Sequence, residues 1–454
     1  MLVDDLQQTI PARAEGAVEA VVVIGAGVSA LVAARALQRA GVPVTVLEGR
    51  DRIGGRTHTV TLAGVPVDLG ASWVHPGEAS PMRAFLETSG IDLIPASTTE
   101  MITAADVVDP RRDTADPMVR MQFLGGMYTV FTGAAAAIAE LGDGASVADV
   151  VTHLLPDADP TAIDAVNVVL GIERGEDTTA LSAAAYFAAE AASGAGSDGV
   201  AARGDMLPSG GYQRLVATLA DGLSIATGSV VTAIDSDDDG VTVATADGSS
   251  HRATHVLVTV PLGVLKAGSI RFDPPLTGAK QEAIDELGWG AFEKVALAFD
   301  EPLWADGEPH HLVVADAVER GWATIVDHST WYGRPVVVGH AGGAHARALA
   351  DLSDEERVAS LVGVLEPIVG RPIVPTEWAV SSWTHDPCSM GCYSGPSGVD
   401  PGQERFPDAL AAPHGRILFA GEATARTGAS TVDGAWLTGI REAKRLLGVP
   451  AVDL

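Results

Sequence analysis

Residues 21–57 read VVVIGAGVSALVAARALQRAGVPVTVLEGRDRIGGRT, and their order decides the fold. Val21–Ile24 is an apolar run too short for a helix and predicts a buried parallel strand. Gly25, Gly27 and Ala30 follow as G-x-G-x-x-A. In this spacing Gly25 permits the tight turn, Gly27 leaves room for a pyrophosphate against the backbone, and Ala30 lets a helix pack on the sheet. Leu31, Ala34 and Leu37 recur at helical spacing, and Gly41 ends that helix. Val44–Leu47 predicts a second buried strand with Glu48 at its carboxyl end, where an acid holds a ribose hydroxyl. The unpaired N–H groups and dipole at the start of the helix suit an anionic pyrophosphate. A glycine-rich turn alone occurs in any α/β domain. Strand, turn, helix, strand and acid in this order predict dinucleotide binding.

The continuation Gly49-Arg50-Asp51-Arg52-Ile53-Gly54-Gly55-Arg56-Thr57 resembles the second signature of the FAD-dependent amine oxidase family, the flavin monoamine and polyamine oxidases. In that family the Gly-Gly-Arg turn lies along the flavin and its phosphates, so the resemblance assigns Gly49, Arg50, Gly55 and Arg56 to the cofactor. It implies an α/β fold: a Rossmann-like FAD-binding domain built from discontinuous segments, with an interleaved α+β substrate-binding domain. The expected division is a loose tail over 1–20, an FAD domain over 21–80, 205–275 and 385–454, and a substrate domain over 81–204 and 276–384.

Further along, Gly70-Ala71-Ser72-Trp73-Val74-His75 resembles the G-A-S-W-x-H segment of polyamine oxidases and of the lysine-specific histone demethylase. The resemblance puts His75 near the substrate channel, and histidine is the side chain that titrates near neutrality. Alanine-rich helical patterns follow over 82–89, 128–141, 162–170 and 181–192, parted by loops at 108–113 and 193–197. Glu173, Glu176 and Asp177 fall where plant polyamine oxidases place an acid facing the amine; the other reading is a solvated loop. Leu207-Pro208-Ser209-Gly210-Gly211-Tyr212 resembles the turn that leads back to the cofactor, and the resemblance gives the backbone of Val231 to the adenine.

Gly288-Trp289-Gly290-Ala291-Phe292-Glu293-Lys294 leads into an alternating strand. The resemblance makes Lys294 the lysine that holds a water against flavin N5; an edge lysine with its head in solvent is the alternative. Burial would lower its pKa. Trp383-Thr384-His385-Asp386-Pro387 and Gly391-Cys392-Tyr393-Ser394 resemble W-x-x-D-P…G-x-Y-S. They assign Trp383 to the cofactor and Tyr393 to the aromatic wall facing the substrate amine. The second tyrosine of monoamine oxidases falls on Thr431 here, as in polyamine oxidases. Cys392 stands where animal monoamine oxidases link cysteine to the flavin, so a covalent FAD and an inert thiol are both open. The two cysteines by themselves make no zinc site, and no metal is expected. Gly421-Glu422 and Thr431-Val432 complete the pattern. The resemblance gives Glu422 to the ribityl chain, and the helix starting near Val432 would aim its amino end at the flavin N1–C2=O edge, where reduced flavin is anionic.

Composition bounds the partners. Lys+Arg is 29 against 59 Asp+Glu, a net charge of −30. This surface disfavours nucleic acid and anionic membranes and attracts cationic small molecules. Two cysteines give no disulfide framework and suit a reducing, cytoplasmic setting. Residues 1–20 lack the apolar core of a signal peptide, the run 121–139 is weakly apolar for a membrane span, and no hydrophobic tail ends the chain. The expected enzyme is a soluble monomer or homodimer resembling polyamine oxidases. It would pass hydride from the carbon next to an amine nitrogen to flavin N5, with dioxygen as final acceptor and hydrogen peroxide as product. The rivals are an L-amino-acid oxidase, a biosynthetic oxidase of a larger amine, and a non-catalytic flavin-binding interaction protein.

Overall fold

A computed structural model of the chain describes residues 18–75, 80–96, 105–108, 117–192, 204–304, 311–315, 321–395 and 405–449. The expected loops at 109–113 and 193–197, and nearly all of the tail, lie outside the described residues.

The opening stretch forms the centre of a five-stranded parallel sheet. Val21–Ile24 lies between His255–Val258 and Val44–Leu47; Ile417–Phe419 and Ile225–Ala226 are the edges. Alternation explains why Val21–Ile24 is apolar throughout. Val21 and Val23 face one core with helices Val28–Arg39 and Val432–Leu446, while Val22 and Ile24 face another with Ile234, Val241 and Val243 of an antiparallel sheet. The two helices cross closely because Gly439 has no side chain: a Cβ there would lie 2.4 Å from the Ser29 carbonyl oxygen. This is the Rossmann-like α/β fold that the glycine pattern predicts.

A second, six-stranded sheet runs in the order Glu377–Val380, Phe292–Ala298, Val336–Gly342, Thr324–Asp327, His311–Val314, Asp106–Val108. One face buries Val295, Leu297 and Val337 against helix Asp354–Val369, whose start is fixed by a capping box of Ser353 and Glu356. The opposite face carries Phe292, Lys294 and His340 toward the cavity described below. Four helices, Pro117–Leu141, Val147–Leu154, Pro160–Ile172 and Ala183–Ala192, share a core that includes Val107 and Val313 at the far end of this sheet.

Several elements differ from their sequence reading. Helix Pro117–Leu141 begins well before residue 128, because Gly126 lets it approach Leu155 and Val166 closely. Helix Val147–Leu154, stabilised by a Ser146–Asp149 capping box, is not among the predicted helices. Helix Ala279–Glu286 packs with Leu262, Phe406 and Leu410. Among the described residues one helix, Pro117–Leu141, is long and apolar enough to cross a membrane by length and composition. Its Val119, Phe123, Val130 and Ala134 pack in the helical core.

Candidate active site

A cavity of about 630 Å³ runs from the parallel sheet to the inner face of the second sheet. Its first end is built by the opening motif. Gly25 has φ +95°, and a Cβ there would meet Thr259 Oγ1 at 2.7 Å. Gly27 borders open space: a Cβ would meet nothing within 4 Å and would fill the cavity. Ala30 is fully buried under the turn. The Glu48 carboxylate accepts from the Ala26 N–H at 2.7 Å and the Arg50 N–H at 2.9 Å, and Arg50 Nε donates to Asp386 at 2.9 Å. Glu48, Gly49, Arg50, Gly55 and Val231 all line the cavity. The bare helix start, the empty cradle over Gly27 and the acid at the second strand fit a dinucleotide with its pyrophosphate at the turn.

Midway, Arg56 Nη1 donates to Glu422 at 2.8 Å and to the Cys392 carbonyl at 2.7 Å. Glu422, which the resemblance gives to the ribityl chain, also accepts from Ser394 Oγ at 2.6 Å and the Ser430 N–H at 2.8 Å. Most of its acceptor capacity thus clamps its own neighbours. Thr431 caps helix Val432–Leu446 by accepting from the Gly434 N–H at 3.0 Å. The N–H groups of Val432 and Asp433 have no acceptor within the helix, and Gly421, Thr431 and Val432 line the cavity beside them. Trp383 is fixed by donation to the Leu69 carbonyl at 2.9 Å.

At the other end lies Lys294, buried and not an edge residue with its head in solvent. Its Nζ donates to Gly70 O at 2.7 Å, Ser72 Oγ at 2.7 Å and Asp68 O at 3.2 Å. An ammonium has three N–H groups, so all are engaged by the loop that carries Trp73 and His75. Burial lowers its pKa, opposed by the Asp68 carboxylate, and burial raises Asp68 in turn. Next to Lys294, buried Glu293 accepts from Ser381 Oγ at 2.5 Å and the Thr384 N–H at 2.8 Å, tying this strand to the Trp383 segment. Tyr393 donates to the Ile172 carbonyl at 2.9 Å, and its ring lies 6.1 Å from that of Phe292. Burial pushes its phenol well above the usual range, so it stays neutral.

His75 is half-exposed on the wall and holds Asp205, fully buried, at 2.9 Å through Nδ1. Of the acids read from the sequence, Glu173 closes helix Pro160–Ile172, lines the cavity and accepts from Tyr186 at 3.0 Å. Glu176 is a correction: it turns away to pair with Arg347 at 2.6 Å, and neither it nor Asp177 lines the cavity. Cys392 lines the cavity and is buried, which raises its thiol pKa far above the usual value.

Sequence reasoning missed Asp68, Arg174, Glu190, Asp205, Glu293 and His340. Arg174 lines the cavity beside Glu173 and is ion-paired with Glu190. No local spacing marks these residues, since their partners lie in distant segments.

A buried dinucleotide cradle opening onto an aromatic wall and a buried lysine fits an oxidoreductase that works through a dinucleotide cofactor. The chain matches the family of flavin containing amine oxidoreductases over residues 28–120 and 135–447, and it belongs to that family. It is 34% identical to polyamine oxidase 4 of Oryza sativa subsp. japonica, across 95% of this chain and 90% of that protein. Polyamine oxidase 2 of Arabidopsis thaliana is 31% identical, across 93% and 87%. Lysine-specific histone demethylase 2 of Homo sapiens is 31% identical, but the match spans only 53% of its length. The solved structure of putrescine oxidase bound to putrescine superposes with a TM-score of 0.76 at 24% identity, covering 95% of this chain and 99% of that one. The protein is an FAD-dependent amine oxidase.

Proposed function

We propose that the substrate is an aliphatic di- or polyamine, oxidised at a carbon next to nitrogen, and that dioxygen takes the electrons to give hydrogen peroxide. A bound flavin would accept the hydride and pass its two electrons to dioxygen. The chain supplies orientation. Phe292 and Tyr393, with rings 6.1 Å apart, give the amine an aromatic wall, and its nitrogen must be neutral when the neighbouring C–H breaks. Lys294 fixes the Gly70–Ser72 loop and keeps positive charge at the flavin side of the cavity.

The observation that carries the cationic reading is the acidic end. Glu173 and Glu190 bring two carboxylates to this wall of the cavity, where a distal ammonium finds acceptors. The rival amino-acid oxidase needs a guanidinium for a carboxylate. Arg174 lines the cavity, but Glu190 already occupies it. The similarity to polyamine oxidases supports the same class.

Cys392 favours a non-covalent flavin, because burial keeps its thiol protonated and the thiolate is the nucleophile. Both cysteines are free thiols, in keeping with a reducing compartment such as the cytoplasm. The test is a peroxide assay over a panel of diamines, polyamines, monoamines and amino acids. Diamines or polyamines give the highest kcat/KM; a higher value for amino acids overturns the assignment.

A further inference from the structure

One row of side chains crosses the cavity face of the second sheet. Lys294 pairs with His340, His340 with Thr324, and Thr324 with Val313, each directly opposite the next. Residues directly opposite in antiparallel strands point to the same face, so the four side chains form a line across the cavity face of the sheet. His340 is the only ring in this row. Thr324 Oγ1 holds its Nδ1 at 3.1 Å. Its Nε2 is buried and has no hydrogen-bond partner among the described residues. Trp73, whose ring is 6.0 Å from that of His340, has the same deficiency at Nε1. Both residues line the cavity.

Two buried polar atoms without partners among the described residues, on rings whose centroids lie 6.0 Å apart, are costly unless a ligand satisfies them. Their chemistry restricts the ligand. The indole Nε1–H only donates, so its partner must carry a lone pair. An ammonium has none. Lys294 Nζ, 5.4 Å from the Trp73 ring, adds positive charge that also opposes an ammonium. The imidazole is neutral, since burial and Lys294 hold it well below its ordinary pKa. A carboxylate would find no charged donor here, because Lys294 spends its three N–H groups on the protein. A hydroxyl or an acyl oxygen accepts from Trp73 and offers or accepts a second bond at His340, whichever ring tautomer is present.

We infer that His340 and Trp73 form a specificity subsite for an uncharged oxygen-bearing group of the substrate, on a part of the wall distinct from the Glu173 carboxylate. This rests on the di- or polyamine reading and narrows it to an amine with one ammonium end and one uncharged polar end.

The experiment compares spermidine with its analogues in which one terminal amine is replaced by a hydroxyl or by a carboxylate. These are tested with the native holoenzyme and with the Trp73→Phe, His340→Phe and Thr324→Val variants, each checked for flavin absorbance. The hydroxyl analogue is expected to have kcat/KM about three- to tenfold above spermidine, the range of one or two neutral hydrogen bonds, with the difference carried by KM. The ratio should fall toward one in Trp73→Phe and His340→Phe, and partly in Thr324→Val. A ratio at or below one in the native enzyme, a ratio unchanged in both ring variants, or a preference for the carboxylate overturns the subsite. If no amine of any kind is oxidised, the di- or polyamine reading fails instead.

Discussion

At the residue scale the site depends on how burial sets protonation and how few donors each group has. Lys294 has three N–H groups and three protein acceptors. It therefore acts first as the bolt between the second sheet and the Asp68–Ser72 loop; to hold a water it would have to release one of them. Cys392 shows the same logic for a nucleophile. It lines the cavity, but burial disfavours the thiolate that a covalent link requires. Acid precipitation of the holoenzyme should leave the yellow colour in the supernatant. Colour retained in the pellet, and released by Cys392→Ala, would show the link and refute the non-covalent reading.

At the element scale, two helices start at the cavity wall, and their crossing fixes where those starts lie. Val28–Arg39 presents its unpaired N–H groups at Gly27, and Val432–Leu446 does so at Thr431. They pack backbone to backbone at Ser29 and Gly439. Gly439→Ala improves helix propensity by about 1 kcal/mol. It also drives a Cβ to 2.4 Å from a carbonyl oxygen that no rotamer can move. The expected net effect is a loss of about 1–3 kcal/mol, the usual range for overpacking. FAD retention should fall as the two helix starts shift. Urea unfolding and the flavin-to-protein ratio measure both; unchanged values would mean that the crossing relaxes without consequence.

At the scale of the whole molecule, the charge of −30 governs capture more than choice. Its field draws polycations toward the protein, and salt screens it over roughly 10 Å at 0.1 M. The kcat/KM for a triamine should therefore fall with ionic strength, and more steeply than for a monoamine. Equal slopes for the two would confine substrate electrostatics to the cavity, to Glu173, Glu190 and Arg174.

The sequence by itself determined the parts whose chemistry is local. The strand–turn–helix–strand–acid order over 21–48 required a dinucleotide cradle, because φ at Gly25, the bare backbone at Gly27 and the apolar period are all set within one short stretch. The Gly54-Gly55-Arg56 turn, Lys294, Tyr393 and the Gly421–Val432 segment were likewise legible as parts of one site, and all contribute to the cavity lining. Only the tertiary structure decided which acid lines the cavity. Glu173 and Glu176 are three residues apart, yet Arg347, from a distant helix, draws one of them out of the cavity. It also decided that Lys294 is fully bonded and that His340 and Trp73 meet with two polar atoms unsatisfied. Those facts depend on sheet register and on contacts between segments some two hundred residues apart. A one-residue slip in that register would turn His340 to the other face, and no local spacing in the sequence encodes it.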